Sequence, residues 1–258
     1  MSGISGVNGY SQMNSYYSAL SSGSKINSAK DGPSELAILN KEESQVNGYD
    51  AGSQNLQAGK NVANISDGAL SGVTDYLQRM KELALKASNG LLTNDDKKGI
   101  QSEIDQLKQG ISDIASSTSY NEHKLLDGSV ESMNIVSDGN GTNQSVDNVN
   151  STLDALGIKD FNVMGKFDIG DLDKALDKVT GGRSQVGAEY NGLDSMYNYN
   201  QIASYNTNSS ASKLGDTEYG EYVTNLQKQQ TLETMKNLMQ KKKEEQDGQE
   251  TMKFFASI

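Results

Sequence analysis

The residue types that most catalytic and metal sites need are scarce in this chain of 258 residues. It contains no cysteine, one histidine and one proline. Without cysteine there is no disulfide framework and no thiolate metal site, and His123 would have to bind zinc with carboxylates alone. We therefore interpret His123 as a solvated loop residue. No Ser/His/Asp set, glycine-rich phosphate loop or pair of catalytic carboxylates stands out, so the sequence predicts neither an enzyme nor a cofactor.

Positive charge is also in short supply. The chain has 23 Lys and Arg against 34 Asp and Glu, a formal net charge of −11. Because nucleic-acid backbones are bound by clustered Lys and Arg, we expect no nucleic-acid partner. We also find no apolar run that could span a membrane, and residues 1–20 lack the basic and apolar regions of a secretory signal peptide. These absences predict no membrane partner and no use of the general secretory route.

Large apolar side chains are few for a folded protein. About one fifth of the residues are Leu, Ile, Val or Phe, which together with the net charge is near the composition of disordered chains. The single proline and the long helical periods argue against disorder. The combination predicts elongated helices with narrow apolar seams, some of them stable only when packed against copies of the same chain.

Three segments carry apolar residues at alternating spacings of three and four, which is typical of coiled-coil helices. We predict helices at about 34–89, 94–116 and 171–207, and the run Thr-Asn-Asp-Asp at residues 93–96 caps the second. The glycines inside the first segment each cost roughly 1 kcal/mol relative to alanine, so this helix needs its neighbours. The predicted rod-core packing residues are Leu70, Val73, Leu77, Met80, Ile100, Ile104, Leu107, Ile111, Leu176, Val179, Val186 and Leu193.

The helical period is lost between about 120 and 170, where we predict a small β-hairpin region. Residues 132–136 and 161–167 are candidate strands, and 146–156 is a candidate short helix. Asp138, Asn140 and Thr142 alternate as in a calcium-binding loop, but Asn143 and Val149 stand where an EF-hand needs Gly and Glu, so we predict a turn. The predicted fold is mostly α: an elongated antiparallel coiled-coil helical bundle with a small β-hairpin subregion.

Several longer motifs, in order along about residues 20–230, closely resemble those of bacterial flagellins. Residues 21–39 (SSGSKINSAKDGPSELAIL) resemble the motif that opens the flagellin rod domain. Residues 77–84 (LQRMKELA), 100–107 (IQSEIDQL), 120–128 (YNEHKLLDG) and 183–193 (RSQVGAEYNGL) resemble later rod motifs. The match of several motifs in the same order is far more specific than a single short signature.

The resemblance implies a structural subunit of the extracellular flagellar filament, with the helical core and little of the variable outer domains. Such a subunit polymerises with copies of itself. It leaves the cell through the type III export apparatus and is bound beforehand by an export chaperone. The implied domains are 1–33, an N-terminal filament-core segment and connector; 34–212, the rod; and 213–258, the C-terminal filament-core helix and tail. Phe254, Phe255 and Ile258 would be an anchor for the chaperone, or equally would make contacts of a disordered tail that have no function.

Two other functions remain open at this point. One is the hook–filament junction protein, which also resembles flagellin at both ends. The other is a secreted ligand of the animal innate flagellin receptor that builds no filament. The resemblance places Arg79, Leu83 and Glu103 at positions that this receptor recognises in many flagellins, although the same residues could equally make subunit contacts.

Overall fold

The computed structural model describes the backbone of residues 3–255 and the side chains of residues 11–252. The described chain forms helices α1 (Gly3–Ser22), α2 (Pro33–Ala87), α3 (Asn94–Ser117), α4 (Leu153–Leu156), α5 (Gly170–Gly215) and α6 (Tyr219–Phe255), and strands β1 (Ser119–Tyr120), β2 (His123–Lys124), β3 (Ser132–Val136) and β4 (Asn143–Asp147). The chain divides into two compact units. The terminal unit comprises Met1–Ser44 and Asn206–Ile258, and the central unit comprises Gln45–Tyr205. None of the described helices is long and apolar enough to cross a membrane.

The central unit is built around one apolar core to which α2, α3 and α5 each contribute a stripe of side chains. Ten of the twelve rod-core residues are buried: Leu70, Val73, Leu77, Met80, Ile100, Ile104, Ile111, Val179, Val186 and Leu193. Leu107 and Leu176 are partly buried and pack against the same core. The apolar stripes of the three helices thus contribute to one shared core.

The turn between α2 and α3 is fixed by a capping box at Thr93. The Thr93 hydroxyl accepts from the Asp96 backbone N–H at 3.2 Å, and the Asp96 carboxylate accepts from the Thr93 backbone N–H at 3.0 Å. These two bonds satisfy donors that the start of a helix otherwise leaves unpaired. The predicted cap is confirmed.

The β3–β4 hairpin packs directly against three glycines on one side of α2. A Cβ atom at Gly52 would lie 2.1 Å from the Ser137 carbonyl oxygen, and one at Gly59 would lie 2.1 Å from the Ile135 side chain. At Gly48 a Cβ would lie 2.7 Å from the Gly139 backbone. Gly48 and Gly52 are therefore positions at which the hairpin backbone approaches α2, and Gly59 makes room for the Ile135 side chain.

The region between the hairpin and α5 differs from the sequence prediction. Residues 161–167 form turns rather than a strand. The Val163 backbone N–H donates to Gln101 Oε1 at 2.7 Å, and Phe161 packs edge-to-face on Phe167 at 5.8 Å. Phe161 and Val163 are buried although the segment has no strand partner, and the Gln101 side chain of α3 satisfies the Val163 backbone N–H.

The predicted short helix at 146–156 is also corrected. Val146 belongs to β4, and the helix is limited to Leu153–Leu156. Thr152 caps its start, and Gly157 ends it with φ of +80°, a left-handed conformation that favours glycine.

Helix α5 extends to Gly215, beyond the predicted end at about 207. The polar residues after 205 have no apolar stripe, so their pattern does not predict a helix there. In the terminal unit Ser210 donates to Glu42 Oε1 at 2.8 Å, and Leu39 packs close to Gly215. Contacts with the first turns of α2 thus support the last turns of α5.

In the terminal unit, α1 and α6 lie antiparallel. Gln229 donates to Gln12 at 3.1 Å, and the rings of Tyr16 and Tyr222 pack edge-to-face at 5.6 Å. The connector after α1 begins at Gly23, whose φ is +76°. It is held by a backbone bond of 2.9 Å from Thr217 N–H to the Gly23 carbonyl. The Gly/Ser connector therefore turns the chain and ties α1 to the segment between α5 and α6.

Candidate functional site

Three ion pairs link α2 to α5 within the central unit. Lys60 pairs with Asp194 at 2.5 Å, Asp67 with Arg183 at 2.8 Å, and Lys81 with Asp173. Positions 60, 67 and 81 are separated by multiples of seven, so they lie along one side of α2. Their signs alternate, which disfavours a shift of α5 by one heptad along α2. The pairs therefore specify the register of the two helices.

Lys60 is the most enclosed member of these pairs. Its side chain is 11% exposed, and its ammonium lies 5.3 Å from the ring centre of Tyr190 and 5.1 Å from that of Tyr197. The hydrogen bond to Asp194 is the main cause that raises the pKa of Lys60. Two ring faces and a carboxylate thus replace the water that the cation loses.

Arg79 joins α2 to α3 on the surface. Its guanidinium donates from Nε to Glu103 Oε1 at 2.9 Å and from Nη1 to Glu82 Oε2 at 3.0 Å. The hydrogen bond to Glu103 is the main cause that raises the pKa of Arg79. About half of the Arg79 and Glu103 side chains is exposed, whereas Leu83 is only 4% exposed. The structure thus brings Arg79 and Glu103 together at the surface and places Leu83 in the core beneath them.

Helix α6 presents an apolar stripe to solvent. Leu232, Met235, Leu238 and Met239 are between 41% and 74% exposed, and the first three lie three residues apart with Met239 four residues after Met235. Leu226, on the same helix, is buried. The aromatic side chains of Phe254 and Phe255, and all of Ile258, lie outside the described residues.

The two candidate loop sites have ordinary structural explanations. The carboxylate of Asp138 accepts from the Asn140 and Thr142 backbone N–H groups at 2.9 and 3.0 Å, as in the predicted turn. These hydrogen bonds lower the pKa of Asp138, and the bond from the Thr142 backbone has the largest effect. His123 is exposed on β2. In the part of the chain that the structure describes, no group of three His, Cys, Asp or Glu side chains is arranged to hold a metal ion.

The described part of the chain is a helical protein with long paired helices, ion pairs between helices and an apolar stripe that faces solvent. Residues 5–131 match the model of the bacterial flagellin N-terminal helical region. Over 173 residues the chain is 34% identical to the phase 1 flagellin of Salmonella naestved and to the flagellin of Salmonella dublin, an alignment that covers 66% of this chain and 34% of each relative. The chain thus spans about a third of the length of these curated relatives.

Solved structures have the same fold. The crystal structure of Bacillus cereus flagellin is 27% identical, with a TM-score of 0.52 over 57% of this chain and 88% of that one. A structure described as that of a flagellar hook-associated protein from Vibrio parahaemolyticus is 17% identical, with a TM-score of 0.61 over 72% of this chain and 100% of that one. The second likeness shows the fold alone.

The chain belongs to the bacterial flagellin family. Flagellins are structural proteins of the bacterial flagellum rather than enzymes, and the filament that they form is extracellular. The predicted fold class, a mostly helical bundle with a small β-hairpin region, is confirmed.

Proposed function

We propose that this chain is a structural subunit of the extracellular flagellar filament. It polymerises with copies of itself through its helices after type III export, assisted by an export chaperone. Family membership supports a flagellar role. The implied division into terminal filament-core segments, 1–33 and 213–258, and a rod, 34–212, is part of this proposal.

The observation that carries the proposal is the exposed stripe of Leu232, Met235, Leu238 and Met239 on α6. Complete burial of one Leu or Met side chain contributes about 1.5–3 kcal/mol. Four such side chains on one helix face are costly to leave in water and favour packing against another copy. Because α6 pairs with α1, the stripe is presented by the helix pair that joins the two ends of the chain.

Seeded polymerisation tests this function. The purified chain is added to sheared flagellar seeds, and elongation is followed by sedimentation and negative-stain electron microscopy. We expect elongation by the wild-type chain and none by Leu238→Asp, while Gln240→Asp, an exposed polar position on the same helix, still elongates. A wild-type chain that stays monomeric at every concentration, with its helices folded, would contradict the proposal.

A second candidate function is that of the hook–filament junction. The likeness to the Vibrio parahaemolyticus hook-associated protein supports it at the level of the fold. The seeding experiment separates the two functions. A junction protein binds the end of a seed without extending it, whereas a filament subunit adds repeatedly.

A third candidate is recognition by the animal innate flagellin receptor. This candidate is supported by the Arg79–Glu103 pair, which joins α2 to α3 and is about half exposed. Leu83 is buried, so of the three predicted receptor residues only Arg79 and Glu103 are accessible to a partner. Receptor activation by Arg79→Ala should fall relative to wild type, while Lys98→Ala, in an exposed pair with Asp95, should leave it unchanged. Equal activation by all three proteins would count against this candidate.

A further inference from the structure

A shallow groove on the central unit is lined by six polar side chains, three of which are glutamines. It lies between α2 and α5, has a volume of 440 Å³, and is lined by Asp50, Ser53, Gln54, Gln57, Tyr197 and Gln201. We call it the carboxamide groove.

The periodicity of both helices explains why these side chains converge. Positions 50, 53, 54 and 57 follow the i, i+3, i+4, i+7 pattern, which places them along one face of α2. Tyr197 and Gln201 are four apart and share a face of α5. The two faces meet because the Lys60–Asp194 pair holds α2 and α5 side by side one or two turns away.

The carboxamides of the groove have free hydrogen-bonding groups. Elsewhere in the central unit, side-chain amides bond to an acid four residues away, as Gln101 does to Asp105 and Gln109 to Asp113. Within the described chain, Gln54, Gln57 and Gln201 make no such bond. The Ser53 hydroxyl, in a residue only 5% exposed, also has no protein partner.

We propose that the carboxamide groove binds a neutral oligosaccharide. Side-chain amides and a carboxylate donate to and accept from neighbouring sugar hydroxyls, and the ring of Tyr197 packs against the apolar C–H face of a pyranose. The groove offers no free cation for an acidic ligand, because Lys60, the ammonium near Tyr197, is paired with Asp194. Asp50 keeps one carboxylate oxygen bonded to the Ser204 hydroxyl at 3.0 Å, so it is held in position to accept.

The test uses the unpolymerised full chain labelled with ¹⁵N and two trisaccharides that differ in charge. N,N′,N″-Triacetylchitotriose is neutral, and its deacetylated counterpart is cationic. We expect the neutral sugar to shift the side-chain amide resonances of Gln54, Gln57 and Gln201 in a saturable manner at millimolar concentration.

Single substitutions then assign the binding to the groove. Gln57→Ala and Gln201→Ala should each weaken binding by about three- to tenfold, as expected for the loss of one or two hydrogen bonds. Gln78→Ala, at an exposed position of α2 outside the groove, should leave the affinity unchanged. All three variants remove exposed side chains, so circular dichroism should show unchanged folding.

Two results would overturn the proposal. Binding of the cationic trisaccharide alone would mean that Asp50 acts simply as a negative charge. Absence of any saturable shift with the neutral trisaccharide would show that the groove is not a saccharide site. Neither result bears on filament assembly, which the seeding experiment measures separately.

Discussion

The Lys60 ammonium lies 2.5 Å from Asp194 Oδ1 and close to the rings of Tyr190 and Tyr197. The two partners differ in exposure, since 11% of the Lys60 side chain and 42% of the Asp194 side chain reach solvent. If the pair is broken, Asp194 regains water but Lys60 does not. The pair therefore stabilises the contact between α2 and α5 mainly by compensating a buried cation.

Asp194→Asn should destabilise the central unit because it leaves Lys60 enclosed without its counter-ion. We expect the free energy of unfolding to fall by about 1–3 kcal/mol, less than for a fully buried pair because Asp194 is partly exposed. This fall in the free energy of unfolding is measured by urea titration, with circular dichroism as the signal. Asp95→Asn breaks the exposed pair with Lys98 and should cost less than about 0.5 kcal/mol. Equal losses in the two variants would mean that burial of Lys60 is unimportant.

Gly52→Ala should destabilise the fold although alanine is the better helix former. The added Cβ would lie 2.1 Å from the Ser137 carbonyl oxygen, so the hairpin has to move away from α2. We expect a net loss of about 1–3 kcal/mol. At Gly68, on the same helix, no atom lies within 4 Å of an added Cβ, and Gly68→Ala should stabilise by about 0.5–1 kcal/mol. Stabilisation by both variants in thermal unfolding would contradict the observed hairpin position.

The helical seams could be predicted from the sequence, because the buried residues of each helix repeat at spacings of three and four. Ile104 and Ile111 lie seven residues apart, and both are fully buried. The Thr93 cap was predictable for a similar reason, since both partners of the capping box lie within four residues. Local and periodic features are therefore those that the sequence revealed best.

Features that depend on distant contacts were missed. In the sequence Gly52 and Gly59 only lower the helix propensity of α2, whereas in the structure they make room for Ser137 and Ile135. Apolar and polar residues alternate in segment 161–167 as in a strand, but the Val163 backbone N–H donates to the Gln101 side chain and not to a neighbouring strand. The Lys60–Asp194 pair joins positions 134 residues apart. The multiples of seven among charged positions 60, 67 and 81 were the one signal that could have indicated the α2–α5 pairs.

Ile104→Asp should unfold the α2–α3 hairpin. Ile104 is fully buried in the core, where a carboxylate would lose its water of hydration. We expect a loss of at least about 4 kcal/mol and a large fall in helicity by circular dichroism. Leu107→Asp should cost less than Ile104→Asp, because Leu107 is only partly buried. Native helicity in Ile104→Asp would show that the seam of α3 faces another direction.

The pH dependence of stability should carry a contribution from Glu189 on α5. Partial burial raises the pKa of Glu189 above its ordinary value of 4.5, and the nearby Asp147 carboxylate acts in the same direction, against hydrogen bonds from the Asp147 backbone N–H and Gln185. The folded chain therefore holds this proton more tightly than the unfolded chain does. The resulting stability is fully present below about pH 4.5 and is lost as the pH rises through the raised pKa.

Glu189→Gln removes this titration and should stabilise the protein at pH 7. We expect a gain below about 1 kcal/mol, since solvent screens a partly exposed carboxylate. The gain should shrink towards pH 4, where the wild-type side chain is protonated as well. Urea unfolding at both pH values measures it, with Glu131→Gln, at an exposed position, as the control substitution. A gain that is the same at pH 4 and pH 7 would show that Gln acts through packing rather than through the charge of Glu189.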